Sequence, residues 1–260
     1  MCSVVIARNC LPDWPILIGA NRDEMLDRPW QAPARHWPDR EEVIAGLDEL
    51  AGGTWLGLND FGVVATVLNR KHTLGPADGK RSRGELVLEA LDHADARDAI
   101  DAMLALNAEA YRPFNMVIAD NREAAVIIGR GEGAVIHQEI PDGVSMITHA
   151  DLNDTDSARI GAHLPDFKAA NMPDPDADDW QGWITALSAR DLNNPLDGMN
   201  IATNTGFGTG SSALVALPSV ERMATKPVFK FAAGAPDKAD FVSLAGLRDA
   251  RSVAMQQLIV

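Results

Sequence analysis

Two stretches decide how this chain reads: Met1-Cys2-Ser3-Val4-Val5-Ile6-Ala7, and Pro15-Ile16-Leu17-Ile18-Gly19-Ala20 running into Asn21-Arg22-Asp23-Glu24. Ser3 to Ala7 is mostly apolar and partly β-branched, the pattern of a strand buried on both faces. A small residue at position 2 lets an aminopeptidase remove Met1, which leaves Cys2 as the mature N-terminus. A terminal cysteine holds a thiol and an α-amine on one residue. The amine titrates near ~7.7–8, so it serves as general base for its own side chain. No internal cysteine offers that combination.

Pro15 to Ala20 reads as a second strand, ending in the polar tetrad. If the two strands pair as neighbours, the tetrad lies beside the chain terminus. An arginine there lowers a thiol pKa and supplies fixed positive charge. An aspartate orients the amine and the guanidinium. The alternative is a solvated turn with a salt bridge to Arg28.

Met1-Cys2, then Asn21-Arg22-Asp23-Glu24 followed by Arg28-Pro29, resembles the NRDE family, named for that tetrad and also called the transport-and-Golgi-organisation protein 2 family. Further pieces match in order: Ala51-Gly52-Gly53-Thr54-Trp55-Leu56-Gly57-Leu58-Asn59, Gly62, Asn69-Arg70, Ser82-Arg83-Gly84-Glu85-Leu86-Val87, Phe114-Asn115, and Gly208-Thr209-Gly210-Ser211-Ser212. The family is similar in fold to the N-terminal nucleophile hydrolases, and the bile-salt hydrolase and penicillin V acylase group offers the nearest pattern. The resemblance implies an α+β, four-layer αββα sandwich. It implies catalysis by Cys2, Arg22 and Asp23, with the amide N–H of Asn69 aimed at a developing oxyanion. Asn21, Trp55 and His149 are the implied substrate-binding residues. Three departures stand out. The cluster runs Asn-Arg-Asp rather than Arg-Asn-x-Asp. His149 stands where the family reads asparagine, and Gly210 where it reads arginine. Loss of that positive charge alters substrate charge preference or weakens activity.

Bulk properties fit a globular enzyme. The length suits one large core, so residues 1–260 read as a single domain. The formal net charge is −14 and no Lys/Arg run occurs, which argues against nucleic acid and anionic membrane surfaces as partners. Cys2 and Cys10 sit roughly 25 Å apart along an extended segment, too far to pair with each other. Without a signal peptide or long apolar run, the expected compartment is reducing cytoplasm, with no membrane insertion. The six histidines form no HExxH, and no CxxC or CxxCH occurs, so neither metal nor covalent haem is expected and no cofactor is required.

A coarse pass finds a hairpin over Thr54–Leu58 and Gly62–Leu68. Helices follow, one capped by Ser82 with Glu85 as a capping box and running to about Ala94, one over Ala96–Ala110. Strands over Asn115–Ala119, Ala124–Ile128 and Ala134–Gln138 come next, then helices over Asp154–Ala170 and Trp180–Arg190. Late strands cover Ser211–Leu217 and Val228–Phe231. Trp30, Trp37 and Trp55 read as core or pocket wall. Two functions fit. One is an amidohydrolase cleaving a non-peptide C–N bond of a small amide or acyl substrate. The other, from the eukaryotic associations of the family, is a non-catalytic haem or acyl-lipid carrier on the same fold. Substrate identity and oligomeric state are not legible.

Overall fold

The computed structural model describes residues 2–249. In chain order the strands and helices are β1 (Ser3–Arg8), β2 (Ile16–Met25), β3 (Trp30–Ala34), β4 (Val43–Asp48), β5 (Leu56–Asn59), β6 (Val64–Asn69), α1 (Gly84–Leu91), α2 (Ala96–Leu104), β7 (Phe114–Ala119), β8 (Ala124–Gly129), β9 (Ile136–Glu139) and β10 (Gly143–Ile147). They continue with α3 (Ala158–Ala169), α4 (Gln181–Leu187), β11 (Phe207–Leu217), β12 (Val228–Ala232) and β13 (Val242–Ser243). These elements fall into two compact units, residues 2–28, 141–216 and 228–244 in the first and 29–140, 217–227 and 245–249 in the second.

The first unit is built on a sheet of order β10-β1-β2-β11-β12-β13. β1 lies antiparallel between β10 and β2, with Val4 opposite both Ile147 and Ala20. Its residues alternate between two buried faces, as the apolar run requires. Val5, Ala7 and Leu17 meet Ile160, Leu164 and Phe167 of α3 and Trp183 and Leu187 of α4 in one core. Gly19 makes that packing possible, since a Cβ there would sit 3.1 Å from the Trp183 ring. Phe167 and Trp183 stack edge to face at 5.8 Å.

The second unit carries a sheet of order β3-β4-β5-β6-β7-β8-β9, antiparallel at each step. Val43, Ala65, Met116 and Ile118 bury one face of it against Leu86, Leu91, Ile100 and Met103 of α1 and α2. The Gly53-to-Asn59 run earns its residue types here by packing. A Cβ on Gly57 would lie 2.6 Å from that of Ala45 and 2.7 Å from Leu91. Trp55 lies so close over Gly46 that a Cβ there would come within 2.4 Å of its ring. Asn59 organises the turn ending at Gly62 (φ +91°): its Oδ1 accepts from the backbone of Phe61 and Val63, while its Nδ2 donates to the Leu91 carbonyl at the end of α1 and to the His93 carbonyl just beyond it.

Several expectations shift. The tetrad is no turn, because β2 continues through it to Met25. The first helix starts at Gly84 and stops at Leu91, and the expected capping box does not form. Ser82 Oγ accepts from Gly84 instead, and Glu85 pairs with Arg81. The helix end is held by docking, with Gly84 packed on Thr54 and the Thr54 N–H bonded to Gly84 O. α2 is capped by Asp95, which accepts from Asp98, and it ends six residues earlier than its apolar period suggests, replaced by a short 3₁₀ turn at Ala108–Ala110. β3 and β4 escape the sequence pass, since Trp30–Ala34 is largely exposed and contains a proline. Among the described residues no helix is long and apolar enough to cross a membrane.

Candidate functional site

The site candidate follows from the β1–β2 register. Ser3 faces Asn21 and Val4 faces Ala20 across the pair, so Cys2, one residue before the strand, comes beside Arg22. Side chains alternate across a sheet. Asn21 and Asp23 therefore leave β2 on the helix-covered face, and Arg22 leaves it on the other. All three are buried, which rules out the solvated-turn alternative.

Each residue has distinct partners. Asn21 spends its amide on the fold: Nδ2 donates to Leu187 O at the end of α4 (3.0 Å) and to Met199 O (2.9 Å), and Oδ1 accepts from Ser212 Oγ (2.7 Å). Asp23 is fully enclosed. Its Oδ2 pairs with Arg159 Nη1 at 3.0 Å and its Oδ1 accepts from Thr209 Oγ1 at 2.7 Å. Arg159, from the first turn of α3, also donates to Ser3 Oγ at 2.8 Å and to Leu196 O at 2.6 Å. A buried carboxylate requires such a countercharge and a full set of donors.

Cys2 and Cys10 are both free thiols. Burial pushes the Cys2 thiol above its ordinary value, and the Asp23 carboxylate adds to the rise. The terminal ammonium, then the backbone N–H of Asp23 and last the Arg22 guanidinium act in the opposite sense but do not prevail. The expected net lowering by Arg22 is thus not the direction found: Arg22 is the smallest of these influences, and desolvation of the thiolate outweighs it.

The other predicted residues sit as follows. His149 is half-buried, two residues beyond Ile147, the β10 partner of Val4. Asn69 ends β6 in the second unit, paired with Phe114. Trp55 packs edge to face on Trp30 at 5.9 Å in that unit. The first unit therefore brings Cys2, Arg22, Asp23 and His149 to one end of β1. Sequence reading missed Ser3, Arg159 and Thr209. Arg159 had a signal, being a cation beside Ile160 on the apolar stripe of a helix. Thr209 lies next to Gly210, where attention went to the absent arginine. Among the described residues, no group of three or more His, Cys, Asp or Glu side chains is placed to hold a metal ion.

The structure resembles the Caenorhabditis elegans N-acylethanolamine-hydrolyzing acid amidase ortholog, with a TM-score of 0.59 at 16% identity over 82% of this chain and 92% of that one. It also resembles a C2A mutant of the conjugated bile acid hydrolase from Clostridium perfringens, with a TM-score of 0.50 at 10% identity over 96% and 98% of the two chains. The protein thus has the α+β fold of the N-terminal nucleophile hydrolases. Residues 1–169 match the Transport and Golgi organisation 2 family, and the chain belongs to it. The Bos taurus transport and Golgi organization protein 2 homolog is 37% identical over 112 residues, 40% of this chain and 38% of that protein. The Homo sapiens homolog is 32% identical over 109 residues, with the same shares. The match thus spans about two fifths of the length of these curated relatives.

Proposed function

We propose that the protein is an N-terminal-cysteine amidohydrolase acting on a non-peptide C–N bond, with Cys2 as nucleophile after removal of Met1. One observation carries the reading: a cysteine at the start of a buried strand, held in register beside a buried arginine and a buried, hydrogen-bonded aspartate. The two fold relatives are named for hydrolysing N-acylethanolamines and conjugated bile acids, which supports amide substrates.

In this mechanism the Cys2 amine takes the thiol proton as sulfur attacks the amide carbonyl. The tetrahedral intermediate collapses with C–N cleavage, and the leaving amine receives that proton. Water, deprotonated by the same amine, then adds to the thioester, and the acid leaves as the thiol is restored. Asp23 orients the amine. Arg22 steadies the developing thiolate or a substrate carboxylate. A thiol raised by burial suits proton transfer concerted with attack rather than a resting thiolate. A reducing compartment, the cytoplasm, suits two free thiols.

A second reading has its own observation. The side-chain-free Gly210 beside Leu26 favours a binding protein that keeps the fold without the chemistry, carrying haem or an acyl lipid. Steady-state hydrolysis of a panel of N-acyl amides separates the two. The hydrolase reading expects turnover that Cys2→Ala abolishes. Saturable haem or acyl-lipid binding with no turnover on any amide favours the carrier.

A further inference from the structure

Arg159 occupies an unusual place for a guanidinium. Its side chain is 1% exposed, on a helix that otherwise presents Ile160, Leu164 and Phe167 to the core. Burying a charge is costly unless it is paired and hydrogen-bonded. Its bonds go to Asp23, to Ser3, which follows the nucleophile directly, and to Leu196 O. Thr209 holds the remaining oxygen of Asp23. One cation thus ties together the backbone next to Cys2, the carboxylate of β2 and the chain after α4.

We infer that Arg159 is the positioning residue of this centre: by holding Asp23 and Ser3, it fixes the orientation and the charge of the groups that govern Cys2 reactivity. The inference deepens the amidohydrolase reading and rests on Cys2 being its reactive group. Asp23 lies close enough to Cys2 to disfavour the thiolate, and Arg159 offsets that charge. Removing the guanidinium leaves the carboxylate uncompensated, and the thiol then holds its proton more tightly. The other charged groups that act on Cys2 are the terminal amine and Arg22. Neither of them is altered by the variants below.

The test is the pH profile of iodoacetamide alkylation, followed separately at Cys2 and Cys10 by peptide mapping of the full chain. Folding is checked by near-ultraviolet circular dichroism and the state of Met1 by intact mass. Arg159→Met should raise the Cys2 midpoint by about half to one pH unit, a roughly three- to tenfold slowing near pH ~7. Cys10 should not change. Arg159→Lys keeps the charge and should stay within about twofold of the wild type. If Arg159→Met fails to fold, Thr209→Val carries the test. It removes one donor from Asp23 at nearly constant volume, so its midpoint should also rise, by less. A folded Arg159→Met with an unchanged or lowered midpoint overturns the inference. So does an unchanged Thr209→Val midpoint where that variant carries the test. The readout needs no turnover, so absence of amide hydrolysis would count against the hydrolase reading and leave this result standing.

Discussion

Replacing Asn21 by alanine should cost the protein stability. The side chain is 1% exposed and makes three hydrogen bonds, donating to Leu187 O and Met199 O and accepting from Ser212 Oγ. Alanine supplies none of them. Leu187 O belongs to the end of α4, where no intrahelical donor remains for it, so the loss strands a buried carbonyl. At about 1 kcal/mol per net bond, with more where a partner stays unsatisfied, the expected cost is about 3–5 kcal/mol. That is a large share of the ~5–15 kcal/mol by which domains are stable. With a slope of about 3 kcal/mol/M, the urea midpoint should fall by roughly 1–1.7 M. Equilibrium unfolding followed by tryptophan fluorescence measures it, since Trp183 lies one turn before Leu187. A loss below about 1 kcal/mol at unchanged slope would refute the clamp and return Asn21 to the list of free substrate contacts.

Three further outcomes are expected. Gly46→Ala forces a Cβ to within 2.4 Å of the Trp55 ring; its melting temperature should fall by an amount equivalent to about 1–3 kcal/mol, measured by differential scanning calorimetry. The Cys2 thiol is raised in the folded state by burial first, so folding holds the proton more tightly. Its contribution to stability is fully present below the ordinary thiol value of 9.0 and is lost as pH rises through the raised value; unfolding titrations should show alkaline destabilisation in that window that weakens in Cys2→Ala. Met1 should be missing from the mature protein by intact mass, because an amine buried in a peptide bond cannot act as base; full retention would count heavily against the hydrolase mechanism.

The parts of the fold legible in sequence are those with local causes. Ser3–Ala7 and Pro15–Ala20 announce themselves by apolar, β-branched runs, and the structure pairs them as neighbours. The hairpin at Asn59-Asp60-Phe61-Gly62 is signalled by a turn that needs positive φ at Gly62. Illegible features have causes far along the chain. Whether Asn21-Arg22-Asp23 is a turn or a strand depends on Arg159, Leu187, Met199 and Ser212, which lie more than a hundred residues away and supply its hydrogen bonds. The first helix loses its capping box for the same reason, since the docked backbone of Thr54 decides where it begins. Motif and chemistry also part company. Asn21 and Asn59, both in family-like motifs, close the ends of α4 and α1 in the same manner. Arg159, in no quoted motif, holds the aspartate beside the nucleophile.

The central claim is that Cys2 forms a covalent acyl intermediate. The direct measurement mixes the mature protein with an activated acyl donor such as a p-nitrophenyl ester, quenches in acid within one turnover, and maps the adduct by mass spectrometry. The expected result is one acyl group, bound as a thioester at Cys2, absent in Cys2→Ala and decaying in water as free acid appears. An unmodified residue 2, or equal acylation of Cys10, would contradict it.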